Sequence, residues 1–541
     1  MRHLVPASLC VALALSGAAF ASDPAIVPVT AVIEGQTVTG IGLVTTIDNL
    51  VVNSLGQFLV EADTDNANTN IDTVVVDASG LRFQEGQVLL LPAGATLDSF
   101  DALTLSDSGN VAWNLFIAGT TTSTDSGIYF NDTLTLLEST ISTATAFTAP
   151  TPYIGFFETK FNNNGQVLVV ASVDDPAIAS TVDRALVIFD VDPVGTLLGE
   201  SVVAKEGDVL AGQTAPVADF GTGPHNFAFS DGGDSMFFAD TTDATTVDGN
   251  VYVNNTLLAR EGSPSPIAAR TWLSLSSSRM DLSPSGQHHV YTGQLSAPTT
   301  DDQLVVRDGV KFIQEGDSLP DIAPFLFTAF GTGGIRVTDS GDVVWIGDWD
   351  DPNTAQDVGL FYNHKLLVQE GVTQINGLTV ESISTVQDNL AVSSNGRYIA
   401  FEATLTGGLN GAFVIDLGPW TDLGGSLAGT DGAPRLRGAG ALVPSQFVSF
   451  TVSEAAPNAQ FALVLGLTPA SITPFYGGTL LPAPQLVISG FSTDANGNVL
   501  LPGVWPGGFP SGGAIFAQAL VADAGAPFGV AISNAVVGIA P

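Results

Sequence analysis

Short apolar stretches alternate with turn-forming residues along almost the whole chain, and no useful length shows the three-to-four-residue spacing of a helix face. Leu103-Thr104-Leu105 and Val111-Ala112-Trp113, separated by Ser106-Asp107-Ser108-Gly109, set the type: two strands joined across a glycine turn. The turn recurs seven times. The other copies are Asn53-Ser54-Leu55-Gly56, Asn162-Asn163-Asn164-Gly165, Ser230-Asp231-Gly232-Gly233, Ser283-Pro284-Ser285-Gly286, Thr338-Asp339-Ser340-Gly341 and Ser393-Ser394-Asn395-Gly396. The glycines lie 53, 56, 68, 53, 55 and 55 residues apart. Glycine supplies the positive φ that closes such a turn.

Two further markers keep step with the turns. Asp72, Asp125, Asp183, Asp248, Asp302, Asp357 and, in the last copy, Asn410 each open another short strand, read as Asx turns. Asn131-Asp132, Asn254-Asn255, Asp308-Gly309 and Asn363-His364 then have type I′ hairpin chemistry. The unit closes on an apolar strand ending in Glu-Gly: Glu85-Gly86, Glu206-Gly207, Glu261-Gly262, Glu315-Gly316 and Glu370-Gly371, with Glu138-Ser139 as a variant. With Glu34 near the N-terminus these glutamates number seven and cannot all be catalytic, so they are expected to end the strand by bonding a neighbouring repeat's backbone. Each repeat reads as four antiparallel strands, the blade of a propeller. The seventh copy stops near Asp416-Leu417-Gly418 without its Glu-Gly strand, and an orphan, Val29-Thr30-Ala31-Val32-Ile33-Glu34-Gly35, stands at the other end. The pattern therefore predicts an all-β fold: a seven-bladed β-propeller over 22–418, closed by the N-terminal strand so that no edge stays open. Beyond about residue 419 the markers vanish and Gly, Pro and Ala increase. Runs such as Phe447 to Val452 and Ile515 to Val521 predict a small C-terminal β-sandwich over 419–541. The stretch Gly424 to Gly429 reads as the flexible junction.

The first residues change the compartment. Arg2 and His3, an apolar run from Leu4 to Leu15 and Ala19-Phe20-Ala21 make a signal peptide over 1–21. The run is short of the roughly 20 residues a membrane span needs. A secreted, periplasmic or cell-surface protein follows. Its only cysteine, Cys10, lies in the signal, so the mature chain has no disulfide, thiol nucleophile or thiolate metal site. Charge narrows the partners: 15 Lys+Arg against 54 Asp+Glu give −39. Nucleic acid and anionic membranes are excluded, because phosphate binding needs clustered cations. An acidic coat keeps an exported protein soluble. The partner expected is an extracellular ligand (carbohydrate, protein or cation) and the chain is expected to be a monomer.

The C-terminal segment resembles a module at the ends of many exported proteins of planctomycete-type bacteria. The matching residues include Trp420-Thr421-Asp422-Leu423-Gly424, Pro434-Arg435-Leu436-Arg437-Gly438, Pro474-Phe475-Tyr476-Gly477-Gly478 and Ser533-Asn534-Ala535. The repeats also resemble an uncharacterised propeller-like family with blades reading "apolar-x-Glu-Gly-Asp" and "Asn/Ser-x-x-Gly". Glu206-Gly207-Asp208 and Glu315-Gly316-Asp317 keep the full form, and Glu138-Ser139 departs from it. Neither resemblance implies a substrate.

No His-Glu-x-x-His, Gly-x-Ser-x-Gly or phosphate-cradling Gly-Lys loop is present. Candidate binding residues come from departures from the repeat. Eight residues before each turn glycine stand Asp48, Asp101, Phe157, His225, Ser278, Gly333 and Asp388, near the start of the innermost strand; one further on are Glu158 and Arg279. A propeller would bring Asp48, Asp101, Glu158, His225, Arg279 and Asp388 to the mouth of its channel. Aspartates so gathered would repel, and calcium (Ca2+) or Arg279 would offset them. Asp63 to Asp72 and Asp348 to Asn353 are the other oxygen-rich stretches a calcium ion could use. Two functions follow. One is a non-enzymatic exported binding or structural protein using a propeller as a rigid platform. The alternative is an extracellular polysaccharide hydrolase or lyase, with Asp48 and Asp101 as its carboxylates.

Overall fold

The computed structural model describes residues 23, 25–178, 183–276, 278–385 and 388–541. The proposed signal peptide over 1–21 lies outside them. The described chain is all-β: its only helical piece is the 3-10 turn Pro527–Gly529, and no helix is long and apolar enough to cross a membrane. It divides into two compact units, 28–318 with 322–414, and 415–541 with 319–321 and the N-terminal residues up to 27.

The larger unit holds seven antiparallel sheets in chain order. The second is typical, with strands Thr96–Phe100, Ala112–Ala118, Ser126–Phe130 and Thr133–Leu137. In all seven connecting turns the glycine N–H bonds the carbonyl three residues earlier, as Gly109 does Ser106 at 3.0 Å, and every glycine has a φ between +68° and +86°. The hairpin residues Asn131, Asn254, Asp308 and Asn363 likewise take positive φ, as type I′ turns require. The Asp markers work differently from the Asx turns expected. In five copies the backbone carbonyl closes the loop, as where Asp72 accepts from Thr64 and Asp357 from Trp349, while Asp183 accepts the Asp175 N–H on its carboxylate.

The Glu-Gly marker joins one sheet to the next. Gly35 donates its N–H to Val44, Gly86 to Leu97, Ser139 to Tyr153, Gly207 to Val217, Gly262 to Trp272, Gly316 to Phe327 and Gly371 to Val380, all at 2.8–2.9 Å. The first of these runs from the seventh sheet to the first. Ser139, the variant, adopts φ +68° and makes the same bond. The glutamates cap their own sheet more often than the neighbour: Glu85 accepts from Thr73 and Glu315 from Asp302 and Gln303. Among the described residues, Glu261, on Leu275, and Glu370, on Ile383, are the ones that reach the next sheet.

Strand Val29–Ile33 pairs antiparallel with Leu409–Asp416, Val29 opposite Val414 and Ile33 opposite Gly411. The orphan strand thus completes the seventh sheet. Period-two alternation packs the sheets face to face. Trp113 and Tyr129 pack with Leu59 and Val75 of the first sheet, while Ala112, Ile128 and Phe130 face Tyr153 and Val167 of the third. Central strands are buried on both faces, which is why their sequences read as unbroken apolar runs.

In the smaller unit a five-stranded and a three-stranded sheet share one core around Phe450, Phe461, Leu463, Trp505 and Val536. Trp420–Gly424 is an edge strand of the five-stranded sheet, and the Trp420 ring lies 5.1 Å from Phe450. The stretch Gly424 to Gly429 is therefore internal to this unit, correcting the expected junction. Residues 22–27 were also assigned to the repeat region. Instead Asp23 accepts the Ser449 hydroxyl at 2.6 Å, an interaction within the smaller unit.

Candidate functional site

The first strand of each sheet is irregular where the sequence placed its polar departures. Pairing of Gly42–Val52 shifts register between Ile47 and Asn49, leaving Asp48 in the bulge; Tyr153–Phe161 shifts between Phe156 and Thr159, around Glu158. His225 falls between Val217–Phe220 and Phe227–Phe229, Arg279 between Trp272–Ser274 and Met280–Leu282, and Asp388 between Leu378–Ile383 and Leu390–Val392. Asp101 directly follows Thr96–Phe100. A bulge or break frees a side chain from the pleat and re-aims it. Asp388 also sits at φ +63°, a strained conformation for a non-glycine residue.

These residues come into one neighbourhood with separate tasks. His225, 2 % exposed, has Nε2 3.4 Å from the Asp388 backbone nitrogen and Nδ1 3.5 Å from Arg336 Nη1. Burial, with Arg336, Lys160 and Arg279 nearby, holds its imidazole well below the usual range, hence neutral. Arg279 does not neutralise the aspartates as expected: its Nη1 donates to the carbonyls of Phe330 at 2.6 Å and Gly333 at 2.9 Å, tying the fifth sheet to the sixth. Asp101 accepts from Asn114, which also donates to Phe156 of the third sheet. Burial raises the carboxyls of Asp48, Asp101 and Asp388, and pushes Glu158 up to about 8 against the pull of Lys160.

All seven sheets contribute to one cavity of about 220 Å³, through Leu50, Leu103, Lys160, Phe227, Asp281, Arg336 and Asp388 among others. Of the six residues named from the sequence, only Asp388 lines it. Lys160, Asp281 and Arg336 were missed. Each lies on the innermost strand at an inward register, Lys160 two residues beyond Glu158 and Asp281 two beyond Arg279. Following the inward face towards the turn would have found them, whereas only the strand starts were compared.

The glycine turns meet at one end of this cavity. The Asp107 carboxylate accepts the Ser54 N–H (2.7 Å) and the Ser394 hydroxyl (2.6 Å). Asn163 accepts from Asp107 and donates to Asp231. These turn carboxylates are engaged.

Among the described residues no three His, Cys, Asp or Glu side chains converge as a metal site requires. The oxygen-rich stretch from Asp63 is used locally: Asp65 accepts from Leu43, Asp63 from Thr46 and Thr73, and Asn66 and Asn68 cap Asx turns. Likewise Asp350 accepts from Leu326.

Residues 18–256 match the model of a family of unknown function, DUF7453, which spans the first four turn repeats. No curated protein matches the chain. Among solved structures it shows a likeness to the V. cholerae biofilm matrix protein Bap1, at 11 % identity over 96 % of this chain and 69 % of that one. The TM-score is 0.19.

Proposed function

We propose that this is an exported binding protein in which the seven sheets are the blades of one propeller, closed by the N-terminal strand and followed by a small β-sandwich. The propeller is a rigid, non-enzymatic platform, and its ligand sits in the axial cavity. Support for the propeller comes from the seven equivalent junction bonds, one of which, Gly35 to Val44, leads from the seventh sheet back to the first. The observation that carries the binding reading is the cavity itself: all seven sheets line it, and its cations Lys160 and Arg336 have no ion-pair partner among the described residues. A rigid scaffold with convergent polar groups in a concave site is the usual form of a ligand pocket. Asp48 and Asp101, the carboxylates of the hydrolase reading, do not line this cavity, and Asp101 is bonded to Asn114, so the binding reading is preferred.

The test is a broad thermal-shift and glycan-array screen of the mature chain beside Lys160→Met. A ligand that stabilises the parent and not the variant, with both giving the same β circular-dichroism spectrum, supports the axial site. Ligands that all bind the variant equally well place the site elsewhere and overturn it.

A further inference from the structure

Apart from the turn aspartates already bonded to their neighbours, the cavity presents four charged side chains: Lys160, Arg336, Asp281 and Asp388. Their lack of pairing is unusual in this protein. With 54 acids for 15 Lys+Arg, cations elsewhere find carboxylates readily: Lys205 with Asp175 at 3.2 Å, Arg260 with Asp243 at 2.9 Å, Lys311 with Asp317 at 2.8 Å. Neither Lys160 nor Arg336 has such a partner among the described residues. Yet Lys160 and Arg336 are both close enough to Asp281 and Asp388 for each to feel the others' charge, and Lys160 feels Glu158, which does not line the cavity, most strongly of all. The side chains are held apart by other contacts. Lys160 Nζ lies over the Phe227 ring at 5.5 Å, Arg336 donates to the Ile335 carbonyl at 3.1 Å, and Asp281 accepts the Val337 N–H at 2.8 Å. Asp388 is fixed at its strained φ beside His225.

Two cations and two carboxylates thus face one small space without touching. Opposite charges in a poorly hydrated site attract strongly across a few ångströms, and leaving them unpaired is costly. A plain anion would satisfy Lys160 and Arg336 but face two carboxylates. A plain cation would do the reverse, and a neutral sugar would leave both sets without counter-charge. A molecule carrying both signs completes all four. At about 220 Å³ the space is below the roughly 300–1,000 Å³ of pockets for drug-sized ligands, so the occupant is small.

Resting on the axial site proposed above, we infer that the ligand is a small zwitterion of amino-acid size, its carboxylate held by Lys160 and Arg336 and its primary ammonium by Asp281 and Asp388. A primary ammonium is specified because carboxylates accept its N–H donors directly.

Isothermal titration calorimetry of the full mature chain tests this with glycine, β-alanine and γ-aminobutyrate, which differ in charge separation, against acetate and methylammonium at the same ionic strength. The expected result is saturable binding of at least one zwitterion, with acetate and methylammonium about tenfold weaker or worse. Lys160→Met and Asp388→Asn should each weaken it by about tenfold or more, while Lys205→Met, which breaks a pair elsewhere, leaves it unchanged. Acetate binding as tightly as the zwitterions, or no saturable heat from any of them, overturns the inference on the parent protein alone, whether or not the variants fold. Full binding by both variants does the same. If the broad screen finds a neutral sugar or plain anion whose binding Lys160→Met abolishes, the zwitterion falls while the axial site stands.

Discussion

Val32 offers the most direct test of how the seventh sheet is completed. It lies on the N-terminal strand opposite Ala412, is 1 % exposed, and packs in a cluster with Val38, Val44, Ala391 and Ala400. Val32→Asp removes a fully buried valine, worth about 2 kcal/mol. It also places a carboxylate in an apolar cluster with no donor provided, which adds roughly 1–3 kcal/mol. A loss of about 4 kcal/mol is a large part of the 5–15 kcal/mol that typically separates a folded domain from its unfolded chain. Val29 is the internal control. It sits on the same strand, three residues away, and is 57 % exposed, so Val29→Asp should change stability by no more than ~0.5 kcal/mol. Urea unfolding followed by tryptophan fluorescence reads the difference, since Trp113, Trp272, Trp345 and Trp349 are buried in the seven-sheet unit. A chain of two units need not unfold in one step, so the quantity compared is the midpoint of the first transition. Val32→Asp should lower it clearly and Val29→Asp should not. Coincident midpoints for the two variants would refute the pairing of this strand and, with it, the closure proposed above.

Three other outcomes are expected. Alanine at Gly371 (φ +66°) should destabilise more than alanine at Gly377 (φ +82°). Both incur about 1 kcal/mol for the left-handed backbone, but only at Gly371 would the new Cβ lie 2.4 Å from the Ala355 carbonyl oxygen; equal shifts in Tm would count against that close approach. Burial pushes Glu370 up to about 7, from 4.5, so the folded state holds a proton that the unfolded chain releases. The residue's contribution is complete below pH 4.5 and fades as pH rises through 7; Glu370→Gln, which keeps an oxygen for the Ile383 N–H, should therefore gain Tm relative to the parent between about pH 5 and 8, and a pH-independent difference would refute it. Calcium titrated into the protein should give no saturable heat; a signal abolished in an Asp48→Ala, Asp388→Ala double variant would restore the cation reading.

The legible part of this protein was periodic. Local turn chemistry is written in a few consecutive residues, so the glycines of Gly56 to Gly396, the hairpin residues and the Glu-Gly strands could be aligned without any tertiary information. The missing strand of the seventh copy and the orphan at Val29 to Ile33 followed by subtraction. The C-terminal junction was misjudged because a run of glycines reads as flexible even when, as after Gly424, it lies between two strands of the same unit.

Sequence alone determined the all-β class, the seven repeats and the polar register at the strand starts, because each depends on backbone conformations that nearby residues dictate. Only tertiary structure decided which polar residues share a space. Arg279 extends to the carbonyls of Phe330 and Gly333 and becomes a tie between sheets, while Lys160 and Arg336, from repeats far apart in the chain, face the same cavity. A side chain's neighbours across a cavity depend on how the sheets that line it are packed, and on bulges that turn a residue by one position, neither of which is encoded within any single repeat.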